Sequence, residues 1–164
     1  AQASIAGASK IIAVGMKADR KRREKIARKY GADEFFASDE EENIVEKVKE
    51  AAREDGVALV VDAAGVPALT SAAIQIVRSE GSIVRIGMSN KTYEDSLDGF
   101  SLKNIRFSGH MGYNQESWRN TLALAKAEKL NLKPIITCIL PLEEYQQGFD
   151  MTKNQEASKL VLVP

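Results

Sequence analysis

The chain contains a single cysteine, Cys138, and a single histidine, His110. One thiol excludes an internal disulfide, and so few soft or imidazole donors argue against a multi-ligand His/Cys metal site within these residues. Charge of one sign is also lacking, because 23 Lys and Arg face 23 Asp and Glu over 164 residues. The accumulated cationic surface by which proteins hold nucleic-acid backbones is therefore not expected. No apolar run approaches the roughly 20 residues that cross a bilayer, and no secretory leader is expected. Together these absences point to a cytoplasmic chain that binds neither membrane nor nucleic acid.

What is present is an alternation of short apolar runs and amphipathic segments, 44% hydrophobic overall, in a length that suits one domain with a sizeable core. Residues 1–9 read as the last turns of a helix closed at Gly7, and a helix met in mid-course carries the expectation of an earlier beginning. A strand over 11–14 follows. The next helix is expected to open at Asp19 as N-cap and to stop at Gly31. A short strand over 33–37 and an acidic turn over 38–43 lead to a helix with Ile44, Val48, Ala51 and Ala52 at helical spacing, ended at Gly56.

The run 57–64 is continuously apolar up to Asp62, the pattern of a parallel strand covered on both faces. Pro67 starts a helix whose inward side carries Leu69, Ala72, Ala73, Ile76 and Val77. Gly81 introduces a strand over 82–87, and 89–104 is a polar connection without strong periodicity. A strand over 105–111 precedes a helix with Trp118, Leu122 and Ala125 at i, i+4 and i+7. Pro134 breaks the pattern before a strand over 135–140, a helix over 142–152 and a closing strand over 159–163. Repeated β-then-α order with right-handed crossovers predicts an α/β fold with a parallel, doubly wound sheet.

Several stretches carry a family resemblance: Gly31-Ala-Asp33, Val60-Val-Asp-Ala-Ala-Gly-Val-Pro67, Gly81-Ser-Ile-Val-Arg-Ile-Gly87, residues 113–118, Leu142-Glu-Glu-Tyr-Gln-Gln-Gly-Phe149 and Ala157-Ser-Lys-Leu-Val161. In this order they resemble the C-terminal half of medium-chain, zinc-containing alcohol dehydrogenases. Ser117-Trp118, Leu132-Lys-Pro134 and 143–149 are most similar to the polyol and threonine dehydrogenase-like members. The resemblance implies a Rossmann-like domain over 1–164 that lacks its first strand and glycine-rich turn, with 135–164 returning toward a catalytic domain. The absent strand would be central, between the strands at 11 and 57, whose facing edges would then lack partners.

It further implies hydride transfer between NAD or NADP and an alcohol or polyol, with zinc held only by an earlier domain, and a chain inactive by itself. A non-catalytic Rossmann-like binding or assembly module and a metal-free quinone reductase of the same superfamily are the alternatives. Ala6-Gly-Ala-Ser-Lys10 is not a phosphate loop, since it follows a helix and precedes a strand.

No catalytic or metal-binding residue is assigned. In nucleotide-binding folds of this kind the second strand ends near an acid that holds the adenosine ribose, whereas a 2′-phosphate needs cations. Here Gly15 stands in place of the acid with Lys17 and Arg20 nearby, which favours NADP over NAD, and Met16 completes the candidate residues of this turn. The opposing reading makes residues 20–29 the solvated face of a helix. By resemblance, Ala63, Ala64 and Gly65 lie beside the cofactor, Ile86, Gly87 and Met88 aim backbone at its carboxamide, and Gly109, His110 and Met111 lie alongside the nicotinamide. His110 is read as structural rather than catalytic. Lys159 either reaches the cofactor phosphates or is a solvated lysine at a strand start. Asp62 is read as a hydrogen-bonded structural carboxylate and Cys138 as an inert core thiol, while Tyr145 and Phe149 share a helix face. A homo-oligomer is expected through a sheet edge near 82–87 and 89–104.

Overall fold

The structure is a computed structural model describing residues 1–52 and 56–164. It resolves into two compact units. One comprises Ala1–Ala37 with Asn114–Pro164, and the other comprises Ser38–Tyr113. Every strand pair in both is parallel.

In the first unit α1 (Gln2–Ile5) ends as expected before Gly7, whose φ of +84° is the left-handed closure. Strand β1 (Ile12–Gly15) pairs with β2 (Glu34–Ala37) in the register Ile12↔Glu34 to Gly15↔Ala37. Between them a 3₁₀ turn over Lys17–Lys21 precedes α2 (Arg23–Lys29), so the helical segment starts earlier than Asp19. Asp19 is the third residue of that turn, and its carboxylate accepts the Met16 amide at 2.9 Å. A ladder of i, i+4 pairs, Asp19–Arg23, Arg20–Glu24 and Glu24–Arg28, runs along the exposed side.

The rest of this unit begins with α6 (Gln115–Lys126), capped by the Asn114 carboxamide oxygen accepting from Ser117 N at 2.8 Å. Strands β6 (Cys138–Pro141) and β7 (Leu160–Val163) pair as a second sheet, with α7 (Tyr145–Lys153) packed on both. The apolar line on α6 stays open, since Trp118 and Leu122 are each half exposed.

In the second unit α3 (Ile44–Ala52) is opened by Asn43, whose side-chain oxygen accepts from Val45 and Glu46. Residues 53–55, just before its expected stop at Gly56, lie outside the described residues. Strands β3 (Val57–Asp62), β4 (Val77–Arg85) and β5 (Arg106–Gly109) form a sheet in that order, β4 in the middle. Helix α4 (Pro67–Ile76) takes Pro67 at its first turn and lies against β3 and β4. Its buried positions are Thr70, Ala73, Ile74 and Ile76, while Leu69 and Ala72 are only half-buried. The core is Ala73, Ile74, Val77 and Ile83, flanked by Val60, Tyr93, Phe100 and Ile105.

Three expectations change in this unit. The strand before Gly87 begins at Val77 rather than 82, with a register shift opposite Val57 to Leu59 and Glu80 in the left-handed region at φ +60°. The 89–104 connection contains a short helix, α5 (Asp98–Leu102). The β3 run is not covered on both faces: Leu59 and Val61, which share one face, are 52% and 54% exposed. Among the described residues, β1 pairs only with β2 and β3 only with β4.

Candidate functional site

The carboxyl ends of β3 and β4 meet in a backbone contact with no room for side chains. A Cβ on Gly65 would lie 2.4 Å from the carbonyl carbon and oxygen of Gly87, and one on Gly87 would lie 2.4 Å from Ala63 C, Ala64 C and Gly65 N. Gly65 also has φ +69°, which L side chains rarely adopt. Residues 63–65 and 86–88 thus form one ledge, with Gly65 buried and Ala63, Ala64, Ile86 and Met88 exposed along it.

Asp62 organises the ledge from beneath. Its side chain is buried, as a structural carboxylate must be, and accepts from Ala64 N at 3.1 Å, Gly65 N at 2.7 Å and Thr70 Oγ1 at 3.3 Å. Its backbone oxygen accepts the amides of Ile86 and Gly87, both at 2.9 Å. These amides are spent internally, so a ligand on the ledge meets α-carbons and the exposed side chains of Ala63, Ala64, Ile86 and Met88 rather than an N–H cradle from those residues. Arg85 closes the arrangement, its Nη2 donating to Gly65 O at 2.5 Å and its Nε to Gly87 O at 3.3 Å, with Asp62 Oδ2 4.0 Å away. Ser89 Oγ adds a second donor to Gly65 O at 2.7 Å.

Gly109, His110 and Met111 continue the row of strand ends in this unit, with β5 beside β4. The His110 amide donates to Arg85 O at 2.9 Å, which fixes the backbone, and its ring is exposed. Met111 is 85% exposed. Thr70, Arg85, Tyr93, Leu97, Phe100 and Phe107 line an apolar cleft of about 380 Å³ in the same unit.

The remaining candidates belong to the first unit. A Cβ on Gly15 would come within 2.9 Å of Asp19 Oδ2 and of the Phe35 ring. The Asp19 carboxylate, four residues later, therefore lies beside the end of β1. Arg20 pairs with Glu24 at 3.3 Å and lies over the Phe35 ring, 5.7 Å from its centroid. Met16 and Lys17 are exposed at this turn, and Lys159 is exposed where its carbonyl accepts the Thr137 amide. Cys138 is free and half-buried, and Tyr145 and Phe149 form an edge-to-face pair at 6.4 Å on α7.

Arg85, Ser89 and Asp19 escaped the reading of the sequence as site residues. Arg85 had a signal, a charge closing the otherwise apolar run Ile83-Val84-Arg85-Ile86, since a charge there needs partners. Among the described residues no group of three His, Cys, Asp or Glu could hold a metal ion, and no helix is long and apolar enough to cross a membrane.

The chain is similar in sequence and fold to known proteins. An uncharacterized zinc-type alcohol dehydrogenase-like protein of Escherichia coli K12 is 30% identical over 160 residues, spanning 98% of this chain and 44% of the relative. An L-threonine 3-dehydrogenase of Bacillus velezensis is 28% identical over 166 residues, spanning 100% of this chain and 47% of that enzyme. The solved alcohol dehydrogenase TADH from Thermus sp. ATN1 superposes with a TM-score of 0.89 at 29% identity, over 99% of this chain and 46% of its own. The chain thus spans a little under half the length of these relatives, and its α/β fold with parallel sheets matches the Rossmann-like domain of alcohol dehydrogenases. Residues 1–127, which include β1 to β5 and the whole Gly65–Gly87 ledge, match the zinc-binding dehydrogenase model, and the chain belongs to that family.

Proposed function

We propose that residues 1–164 are the cofactor-binding part of an NAD(P)-dependent oxidoreductase that moves hydride between nicotinamide and an alcohol or polyol. The observation that carries this is the side-chain-free contact of Gly65 with Gly87 at the carboxyl ends of two adjacent parallel strands. Open α/β sheets bind ligands at that end, and strand ends bearing Ala63, Ala64, Gly65 and Gly87 admit a ribose and a planar ring at close range. Bound nicotinamide supplies the hydride chemistry. The chain's own part is to seat it: Ala63, Ala64 and Gly65 against the ribose, Ile86, Gly87 and Met88 and then Gly109, His110 and Met111 along the ring, and Lys159 toward the phosphates. Residues 135–164 return toward a catalytic domain, and zinc is held by ligands outside these residues. The fit rests on the backbone ledge described above.

For the adenosine end the favoured ligand is NADP, seated at Gly15, Met16, Lys17 and Arg20. Asp19 supports a second reading. Its carboxylate fills the place of a strand-end acid and is oriented by Met16 N and Arg23, which suits the free ribose hydroxyls of NAD. Calorimetric titration of both dinucleotides into the natural full-length protein decides. On the NADP reading, Lys17→Ala or Arg20→Ala weakens NADP about tenfold and leaves NAD nearly unchanged. On the NAD reading, Asp19→Asn weakens NAD by a similar factor. A protein that binds neither dinucleotide sinks the whole assignment.

A further inference from the structure

We infer that Arg85 is the positioning residue of the ledge, a planar clamp holding residues 63–65 and 86–88 at a fixed spacing, with Ser89 as its auxiliary. The inference rests on the dinucleotide reading, since this ledge is the surface proposed to meet the nicotinamide ribose. One guanidinium bonds two chain segments that are distant in sequence, Gly65 O through Nη2 and Gly87 O through Nε. A rigid fork does this at a fixed mutual geometry; a lysine ammonium has charge, reach and three donors but no fixed geometry. Asp62 faces the same guanidinium and takes the amides on the other side of both turns. Each turn is therefore gripped twice, by its amides from Asp62 and by its carbonyls from Arg85.

The grip is needed because the Gly65–Gly87 contact has no side chains to interlock. Bare backbone segments slide past one another unless their polar groups are fixed. With Arg85 and Ser89 both donating to Gly65 O, the ledge is set before any ligand arrives, and binding is spared the cost of ordering it.

The test uses the natural full-length protein carrying Arg85→Met, Arg85→Lys or Ser89→Ala. It reads amide hydrogen exchange without ligand and the binding of NADPH and NADH by their fluorescence. Arg85→Met is expected to weaken the dinucleotide at least about tenfold. It should also raise the cofactor KM while leaving the alcohol KM unchanged, and speed exchange at Ala64, Gly65, Ile86 and Gly87 but not in β6 or β7. Arg85→Lys should stay weakened, since charge without the fork does not rescue. Ser89→Ala should move the same amides by less, and it decides the matter if Arg85→Met does not fold. Unchanged exchange at those amides overturns the clamp, and faster exchange with unchanged affinity overturns its positioning role. A wild-type protein that binds neither NADPH nor NADH overturns the dinucleotide reading and the positioning role with it, an outcome told apart by its appearance before any substitution is made.

Discussion

A methyl group added at Gly87 would meet backbone atoms of residues 63–65 at 2.4 Å, and no flexible side chain lies there to yield. At Gly109 the same methyl finds nothing within 4 Å. Gly87→Ala is therefore expected to cost about 2–3 kcal/mol of stability, the upper range for forced overpacking, and Gly109→Ala less than about 0.5 kcal/mol. Urea unfolding of the two variants side by side checks this, and equal midpoints would show that the two strand ends separate without strain. Asp62 could be singled out in sequence, as an acid closing an apolar strand, whereas Gly65 and Gly87 were reached through the family resemblance. Asp19 was misread because an N-cap acid and an acid three residues into a first turn look alike in one dimension. What separates them is where the helical segment starts, and here a 3₁₀ turn from Lys17 moves that start ahead of Asp19.

At the level of the element, α4 depends on a residue far from it in sequence. Lys103 Nζ donates to the carbonyls of Ile74, Gln75 and Val77 at 2.9, 3.0 and 2.9 Å, capping the helix end with positive charge where the dipole favours it. Lys103→Met keeps the stem and removes the donors, and should cost about 1–2 kcal/mol at neutral pH. Burial, with the Lys49 ammonium adding to it, holds the Lys103 pKa below its ordinary 10.5. Between that lowered value and 10.5 the unfolded chain binds the proton more readily than the folded one, so stability rises with pH across the interval. The wild-type protein should therefore gain stability relative to Lys103→Met as pH climbs toward 10.5; denaturant midpoints at successive pH values would show a flat difference if the cap is electrostatically inert. Neither this cap nor α5 was legible in sequence. Five residues make too little helix for a hydrophobic period, and a lysine bonding the carbonyls at the end of α4 is a tertiary fact. Val77 likewise fits the apolar spacing of the preceding helix, yet it pairs with Val57 and begins β4.

For the whole molecule, the β-then-α order and the parallel direction of every strand pair were readable, because alternation and apolar runs are local. Which strands become neighbours is not local. An oligomer edge was expected near 82–87 and 89–104, but β4 has β3 on one side and β5 on the other, so 82–85 have no edge to offer. Among the described residues this sheet has two open edges, β3 and β5, and the surroundings of β5 are apolar: Leu97 is 62% exposed, Leu102 82% and Phe107 45%. An edge of this kind invites pairing with a second copy. His110 N donates across to Arg85 O, and strand amides alternate sides, so Phe107 and Gly109 turn their amides to the open edge. Proline at Gly109 removes an outward donor without breaking a bond to β4, and edge positions tolerate it. If two copies associate through β5, Gly109→Pro should shift the natural protein from dimer toward monomer in sedimentation velocity, with its unfolding midpoint at high dilution close to wild type. A variant that stays dimeric would place the contact elsewhere, and the half-exposed Trp118 and Leu122 of α6 would be the next surface to substitute.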